Sequence, residues 1–374
     1  MKKSKEQITF KGKLALQQRV LPSYRVPFFQ ALASKCEDGL SLFAGAARPI
    51  EAIKYAAEIE GVKLSKAENK HILGKQFYLL NQTNVINWLE ETDPDILIVE
   101  ANPRYLSTPS AVKWMHEKNR KVLGWGLGAP PISGLLNEFR EKRRLDFLSH
   151  LDGIISYSER GVKEYQDIGI PAEKVFVAHN AAVHRPLTPP PLRSGKKSGP
   201  MNILFVGRIQ KRKKLDRLFH ACAELAQKPN IVVVGDGPDK PYFEFLAAKI
   251  YPGAVFVGAK YGDELRQYYA NADLFVLPGT GGLAVQQAMA NGLPVIVAQG
   301  DGTQDDLVRP GNGWLIPPDD QSALKSTLKD ALSDLPRLRK MGAESFRITF
   351  EEINIDTMAE KFINALNKVI KVSE

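Results

Sequence analysis

The sequence is poor in cysteine: Cys36 and Cys222 are the only 2 among its 374 residues. They lie far apart in the chain and show no metal-ligand spacing, which argues against a disulfide scaffold and against a cysteine-based zinc site. We therefore expect two free thiols and a reducing compartment such as the cytoplasm.

Long apolar runs are also missing from the chain. No window approaches the roughly 18 apolar residues that cross a bilayer, so we expect no membrane span. Residues 1–3 (MKK) are basic, but no apolar segment follows them, and no signal peptide is expected. No Asp-x-Asp pair stands at the end of a predicted strand, so we expect no metal requirement.

Positive charge, in contrast, is in excess. The net charge is +9 and the pI is about 9.3, which permits nucleic acid, an anionic membrane surface or small anionic substrates without choosing among them. No basic stripe interleaved with aromatic residues and no RNA motif is present, so we expect no nucleic-acid partner. The length, with 44% hydrophobic residues, suffices for two domain cores.

One stretch of the second half organises the prediction. Residues 274–277 form an apolar run that predicts a buried strand, and Pro278 ends it. Residues 279–282 (GTGG) then lead into a predicted helix over 283–290, which stops at Asn291-Gly292. A glycine turn at a helix N-terminus presents free N–H groups to an anion such as a phosphate. An ordinary strand-to-helix loop without a ligand remains the alternative from these residues alone.

Strands alternate with helices along the whole chain, which predicts parallel, doubly wound sheets. Residues 186–200 interrupt the pattern with a proline-rich segment that we interpret as a linker. The predicted organisation is an N-terminal acceptor-side Rossmann-like domain over 1–185, a C-terminal donor domain over 201–350, and a helix over 351–374 that could pack on the first domain. A ligand cleft is expected between the facing strand ends of the two domains.

Polar residues follow two predicted strands of the first half, where ligands bind in open α/β sheets. They are Arg19, Tyr24, Arg25, Glu100, Asn102 and Arg104. Ordinary surface contacts are the alternative role for Tyr24 and Arg25.

A charged segment over 139–148 (FREKRRLDFL) carries apolar residues at roughly helical spacing. It predicts either a solvated helix face or a surface attracted to anionic lipid headgroups. Peripheral contact with the inner membrane face is therefore one hypothesis for this helix.

A basic cluster opens the second half, directly after the predicted strand 203–206. Gly207 is followed by Arg208, Lys211, Arg212, Lys213 and Lys214. Cations at a helix start are unfavourable toward the helix dipole and call for an offsetting anion. Arg as a bidentate fork and Lys as a point charge suit a diphosphate.

The second half resembles the donor domain of family four glycosyltransferases, which have the GT-B fold. The similarity rests on six segments in the family's order: 206–208 with Lys213, 234–238, 257–258, 272–278, 288–295 and 312–316. The first half resembles the family's acceptor domain more loosely. The resemblance implies an α/β protein of two Rossmann-like domains facing each other across a cleft.

The resemblance also implies roles for single residues. Arg208 and Lys213 would be catalytic, holding the donor diphosphate and stabilising its departure. The backbone around the donor would be supplied by Gly207, Gly258, Gly279, Gly281, Gly282 and Leu283.

Three positions depart from the family's pattern. Gln287 replaces a Glu that accepts hydrogen bonds from the ribose, and its amide oxygen can still accept. Gly279 replaces a Glu that contacts the transferred sugar. Leu127 stands where the family has a His facing that sugar.

Two functions follow from this combination. The first is a hexosyltransferase that moves glucose from UDP-glucose to a saccharide or lipid-linked saccharide, with retention and without metal or cofactor. The second is a non-catalytic nucleotide-sugar-binding regulatory or scaffold protein, which the changes at Gly279 and Leu127 favour. A sugar-nucleotide epimerase of the same architecture fits the sequence less well.

Overall fold

The computed structural model describes residues 8–371 except for 49–50, 52, 54, 73–77 and 135. The basic residues 1–3, and Leu135 beside the charged segment, lie outside the described residues. The chain forms two compact units: Met1–Ala182 together with Ile355–Glu374, and Val183–Asn354.

The first unit is built on a parallel sheet. Its strands are β1 (Leu14–Val20), β2 (Leu40–Gly45), β3 (Val62–Ala67), β4 (Asn69–Ile72), β5 (Leu79–Gln82), β6 (Ile96–Glu100), β7 (Lys121–Gly126), β8 (Gly153–Ser156) and β9 (Val175–Val177). Among the described residues, 7 of them pair in the order β3-β2-β1-β6-β7-β8-β9, while β4 and β5 form a separate antiparallel pair. The strand order reverses between β1 and β6, whose carboxyl ends therefore lie side by side.

Helices cover this sheet because its strands are apolar on both faces. They are α1 (Val26–Ala33), α2 (Val85–Thr92), α3 (Thr108–Glu117), α4 (Asn137–Ser149), α5 (Glu159–Asp167) and α13 (Ile355–Lys371). Helix α13 belongs to the first unit although it ends the chain: Phe362 packs its ring edge-on against Phe28 of α1, with centroids 5.0 Å apart. The same ring meets Trp125 of β7 at 5.1 Å.

The second unit repeats the architecture. Its strands are β10 (Asn202–Val206), β11 (Asn230–Val234), β12 (Ala254–Phe256), β13 (Leu274–Leu277), β14 (Val295–Ala298) and β15 (Gly313–Ile316). Its helices are α6 (Leu215–Ala223), α7 (Lys240–Ile250), α8 (Gly262–Asn271), α9 (Leu283–Ala290), α10 (Thr303–Leu307), α11 (Gln321–Leu332) and α12 (Leu335–Glu351). All neighbouring strands are parallel, in the order β12-β11-β10-β13-β14-β15. Here the order reverses between β10 and β13.

The proline-rich segment 186–200 has no helix or strand and is attached to the second unit. Arg193 donates hydrogen bonds to the carbonyl oxygens of Tyr269, Ala272 and Asn291. Lys197 forms an ion pair with the buried Asp273. These contacts hold the start of the unit against the edge of its sheet.

Candidate functional site

The glycine turn lies at the reversal point of the second sheet. Strand β13 ends at Leu277, residues 279–282 form the turn, and α9 begins at Leu283. Strand β10 pairs with β13 through Ile203 and Leu274, so its own carboxyl end opens onto the same edge. This edge is where open α/β sheets bind ligands, and the N-terminus of α9 adds unpaired N–H groups and a partial positive charge.

Lys213 is a buried cation beside this turn. Lys213 is the last residue of a single 3-10 turn, Lys211–Lys213, and it is 8% exposed. Its Nζ donates to the carbonyl oxygen of Thr280 at 2.6 Å, and no carboxylate of the described chain forms an ion pair with it. Burial, together with the neighbouring Arg212, lowers the pKa of Lys213 to about 8. A cation that is buried without a counter-charge is stabilised strongly by a bound anion.

Two glycines of the turn are required by the position of Lys213. A Cβ on Gly281, whose φ is +127°, would lie 2.2 Å from the Lys213 Nζ. A Cβ on Gly279 would lie 2.2 Å from the Arg212 carbonyl oxygen and 2.6 Å from the Lys213 Cα. The backbone of 212–213 therefore lies where a side chain at 279 would begin. The Thr280 N–H closes the contact by donating to the Arg212 carbonyl at 3.1 Å.

The two arginines of the basic cluster lie at the same edge and are exposed. Arg208 follows β10 directly through Gly207, whose N–H bonds to the Val234 carbonyl. Arg212 donates to the Thr280 hydroxyl at 3.2 Å. Sequence reasoning counted Arg212 as one cation of the cluster and assigned it no role of its own.

The loops after β10 and β11 pack backbone against backbone. A Cβ on Gly235 would lie 1.9 Å from the Gly207 carbonyl oxygen, and one on Gly237 would lie 2.2 Å from the Ile209 carbonyl oxygen. Gly258, after β12, accepts the Gly235 N–H at 2.8 Å. Gly207 and Gly258, which were predicted for the donor site, thus pack with Gly235 and Gly237 so that three strand-end loops form one edge.

Gln287 and Gln304 are two amide side chains near the turn with hydrogen bonds that bear on the site. Gln287 lies on α9, and its Oε1 accepts the hydroxyl of the buried Tyr269 at 3.2 Å, which leaves one lone pair of the amide oxygen for another donor. Gln304, on α10, is 2% exposed; its Nε2 reaches the Gly281 carbonyl at 3.5 Å, and its Oε1 has no partner among the described residues. Sequence reasoning missed Gln304, because α10 becomes a neighbour of the turn only through the sheet.

A second polar cluster lies in the first unit, where β1 and β6 end. Glu100 accepts the Arg19 N–H at 2.7 Å and the Tyr105 hydroxyl at 2.6 Å. Burial raises the pKa of Glu100, against the opposing effects of these hydrogen bonds and of Arg19 and Arg25. The Arg19 guanidinium pairs with Glu51 at 2.8 Å. Tyr105 and Glu51 are members of this cluster that the sequence did not single out.

The other residues predicted for the first half are more dispersed. Arg25 is buried close to Glu100, whereas Tyr24 is 47% exposed. Asn102 accepts the N–H of Arg104, whose side chain is exposed. Leu127 follows β7 with its side chain 46% exposed. Within residues 8–371 as described, no three His, Cys, Asp or Glu side chains lie together as metal ligands.

The two-unit parallel α/β architecture is that of GT-B glycosyltransferases. The solved structure of HepE from Anabaena in complex with UDP superimposes with a TM-score of 0.70 at 15% identity, covering 95% of this chain and 99% of that one. At this identity the likeness shows the fold alone.

Sequence comparison relates the second unit to a known family. Residues 192–347 match the family model for glycosyl transferases group 1, so this segment is similar to members of that family. A GDP-mannose-dependent alpha-mannosyltransferase of Mycobacterium tuberculosis is 37% identical over 146 residues, which are 38% of this chain and 36% of the relative. The sulfoquinovosyl transferase SQD2 of Arabidopsis thaliana is 36% identical over 151 residues, 38% of this chain and 28% of that protein. The matches thus span about a third of the length of these relatives.

Because Gly279 is crowded and Gly282 is not, we predict that the same substitution has different effects on stability at the two positions. Gly279→Ala places a Cβ against the backbone of Arg212 and Lys213 and should destabilise the second unit by about 2 kcal/mol or more. Gly282→Ala is the matched control, because its Cβ would meet only the Gln304 and Thr303 side chains at 3.8 and 3.9 Å. Thermal unfolding of both variants checks this. Equal midpoints for the two would contradict the packing.

Proposed function

We propose that the chain is a glycosyltransferase that uses a nucleoside-diphosphate sugar, with the diphosphate bound in the second unit beside Lys213 and the turn 279–282. The observation that carries the proposal is the buried, carboxylate-free Lys213 ammonium beside a glycine turn at a helix N-terminus. A diphosphate supplies the charge that this lysine lacks, and the N–H groups at Gly282 and Leu283 are available to its oxygens.

The proposed chemistry is stabilisation of a leaving group. When the bond between the sugar and the diphosphate breaks, negative charge grows on the departing phosphate oxygens. Lys213 and Arg208 oppose that charge, and the burial of Lys213 strengthens its effect because the local dielectric is low. We propose transfer with retention and without a metal ion. The two cations and the α9 N-terminus supply the positive charge that a metal ion supplies to the leaving phosphate in metal-dependent enzymes.

The proposed donor is a nucleoside-diphosphate hexose, with UDP-glucose as the first candidate. GDP-mannose is the rival donor, because the mycobacterial relative is a GDP-mannose-dependent alpha-mannosyltransferase. UDP is the nucleotide in the HepE complex, whose fold the chain shares. The proposed acceptor is a saccharide or a lipid-linked saccharide, received by the polar cluster of the first unit.

A non-catalytic nucleotide-sugar binder is the second candidate function. It is favoured by Gly279, where no side chain can contact the sugar, and by Leu127, whose apolar side chain points to solvent. It requires the same diphosphate site, so binding alone does not separate it from the enzyme.

Donor turnover and nucleotide binding test the proposal together. The full chain is incubated with UDP-glucose or GDP-mannose without acceptor, and released nucleoside diphosphate is measured beside calorimetric binding of UDP and GDP. One donor should be hydrolysed slowly. Lys213→Met should weaken binding of its nucleotide about tenfold to hundredfold, since one charge-assisted hydrogen bond is lost. Arg208→Ala should act in the same direction.

Lys211→Met is the matched control, because Lys211 is exposed and belongs to the same short turn. Its affinity should remain that of the unaltered chain. Binding without release, with or without candidate saccharide acceptors, supports the binder. Failure of both nucleotides to bind, or full affinity in Lys213→Met, contradicts the proposed site.

We further propose that the protein works at the cytoplasmic face of a membrane and touches it through α4. No helix of the described chain is long and apolar enough to span a bilayer. Helix α4, however, exposes apolar and cationic side chains together: Phe139 is 63% exposed, and Lys142 and Arg143, one turn further on, are also exposed. Leu136, just before the helix, is 72% exposed. This combination suits the interface of an anionic bilayer.

Vesicle binding tests the membrane proposal. Lys142→Glu/Arg143→Glu should reduce sedimentation with phosphatidylserine-containing vesicles by about tenfold or more, since each cation near an anionic surface contributes about 1 kcal/mol. Lys63→Glu/Lys113→Glu makes the same charge change at exposed positions of β3 and α3 and should have a much smaller effect. If vesicle binding falls equally in the two variants, the fall is explained by net charge alone, and a docking role for α4 is contradicted.

A further inference from the structure

Arg25 is a buried arginine with no acceptor for its hydrogen-bond donors. It is 7% exposed and ends the 3-10 turn Ser23–Arg25 between β1 and α1. Its guanidinium forms no hydrogen bond and no ion pair with any described residue, and its Nη1 is fully enclosed. A buried guanidinium normally has its donors paired, because leaving them unpaired is costly.

Aromatic rings surround the guanidinium instead. Its Cζ lies 5.0 Å from the Trp125 ring centroid and 5.5 Å from those of Tyr24 and Tyr157. These faces stabilise the positive charge but accept none of its N–H groups in the plane of the fork. The Trp125 Nε1 is itself buried and without a partner among the described residues. Two residues in direct contact thus present orphan donors.

The nearby carboxyl does not satisfy these donors. Both oxygens of Glu100 are already engaged, one by the Arg19 N–H and the other by the Tyr105 hydroxyl. Burial raises the pKa of Glu100, and the Arg25 charge only partly opposes this shift.

The location of Arg25 connects the orphan donors with substrate. The turn follows the carboxyl end of β1, next to the end of β6, where the strand order of the first sheet reverses. This edge of an α/β sheet is where ligands bind. Tyr24, the neighbouring residue of the turn, is half exposed, so the guanidinium lies just below an accessible surface.

We propose that Arg25 binds an anionic oxygen of the acceptor, a carboxylate or a phosphate, so that the acceptor is an acidic or phosphorylated saccharide. The planar fork of Arg25 donates two N–H groups to such an anion, and the Trp125 Nε1 is a further donor without a described partner in the same side-chain cluster. This inference rests on the proposed function, because it concerns the acceptor of that transfer. It is independent of the donor site, which lies in the other unit.

The test uses the full chain carrying Lys213→Met, so that the diphosphate site does not compete for anions. Glucuronate, glucose 6-phosphate and neutral glucose are titrated by calorimetry. At least one anion should bind more tightly than glucose, and the one that binds identifies a carboxylate or a phosphate as the recognised group. Arg25→Gln should weaken that anion by about tenfold or more. Arg25→Lys, which keeps the charge but not the fork, should fall between.

Two further variants make the result specific. Lys113→Gln removes an exposed cation from α3 of the same unit and should leave anion affinity unchanged. Trp125→Phe keeps a ring beside Arg25 but removes the orphan N–H, and should cost a few-fold in affinity. Circular dichroism and the unfolding midpoint show whether each variant is folded. If Arg25→Gln is not folded, the loss of anion affinity is measured with Arg25→Lys instead.

Three results overturn the inference. Neither anion binds; or the anion affinity is unchanged in Arg25→Gln; or glucose binds as tightly as both anions and its affinity falls equally in Arg25→Gln. Donor hydrolysis by the chain with Lys213 intact is measured separately. An inactive donor site with an intact anion site would therefore contradict the proposed function, while still showing that Arg25 binds an anion.

Discussion

The structure of the donor-side edge depends on one contact, the hydrogen bond from the buried Lys213 ammonium to the Thr280 carbonyl. It brings the basic loop after β10 against the glycine turn after β13, two segments that are neighbours only because the strand order reverses between them. The contact joins a cation to a neutral carbonyl. It therefore fixes the position of the ammonium group without neutralising its charge. Burial lowers the pKa of Lys213 to about 8. Without a bound anion, the lysine therefore loses its charge as the pH rises through about 8.

This contact gives a physical reason for the change at position 279. A carboxylate at that position would require a Cβ inside the backbone of Arg212 and Lys213. Glycine at 279 and 281 lets the cation approach the turn closely, at the expense of a side chain toward the sugar. In the proposed site this edge holds the diphosphate, and contacts with the sugar come from other groups, such as the buried Gln304, whose Nε2 reaches the Gly281 carbonyl.

The elements around the site were predictable where local signals agree. The apolar run at β13, Pro278 after it and Asn291-Gly292 after α9 mark boundaries that the structure reproduces at Leu274–Leu277 and Leu283–Ala290. The short strands β3 to β5 were missed, because β3 is only half-buried and lacks the alternation of a sheet strand. Helix α12 was missed as well; it contains Gly342, which packs directly on the Gly292 carbonyl and weakens the helical pattern.

Side-chain environments were the part that local patterns did not contain. The sequence placed Arg25 and Lys213 at strand ends, but their burial depends on rings and loops that are distant in the chain. The same holds for Gln304, which became a candidate only through its contact with the Gly281 carbonyl. Burial without an ion-pair partner among the described residues is what distinguishes Arg25 and Lys213 from the many exposed cations of this basic chain.

The most direct test of the donor-site interpretation is the pKa of Lys213, measured by NMR titration of isotope-labelled lysine with Lys213→Arg for assignment. Without nucleotide the pKa should be about 8, and a saturating amount of the bound nucleoside diphosphate should raise it, because the anion stabilises the charged form. The affinity for the diphosphate should then fall as the pH rises above about 8, where the free protein loses the ammonium charge. A Lys213 pKa near the ordinary value of about 10.4, or one that nucleotide leaves unchanged, would contradict a buried ammonium held for the diphosphate.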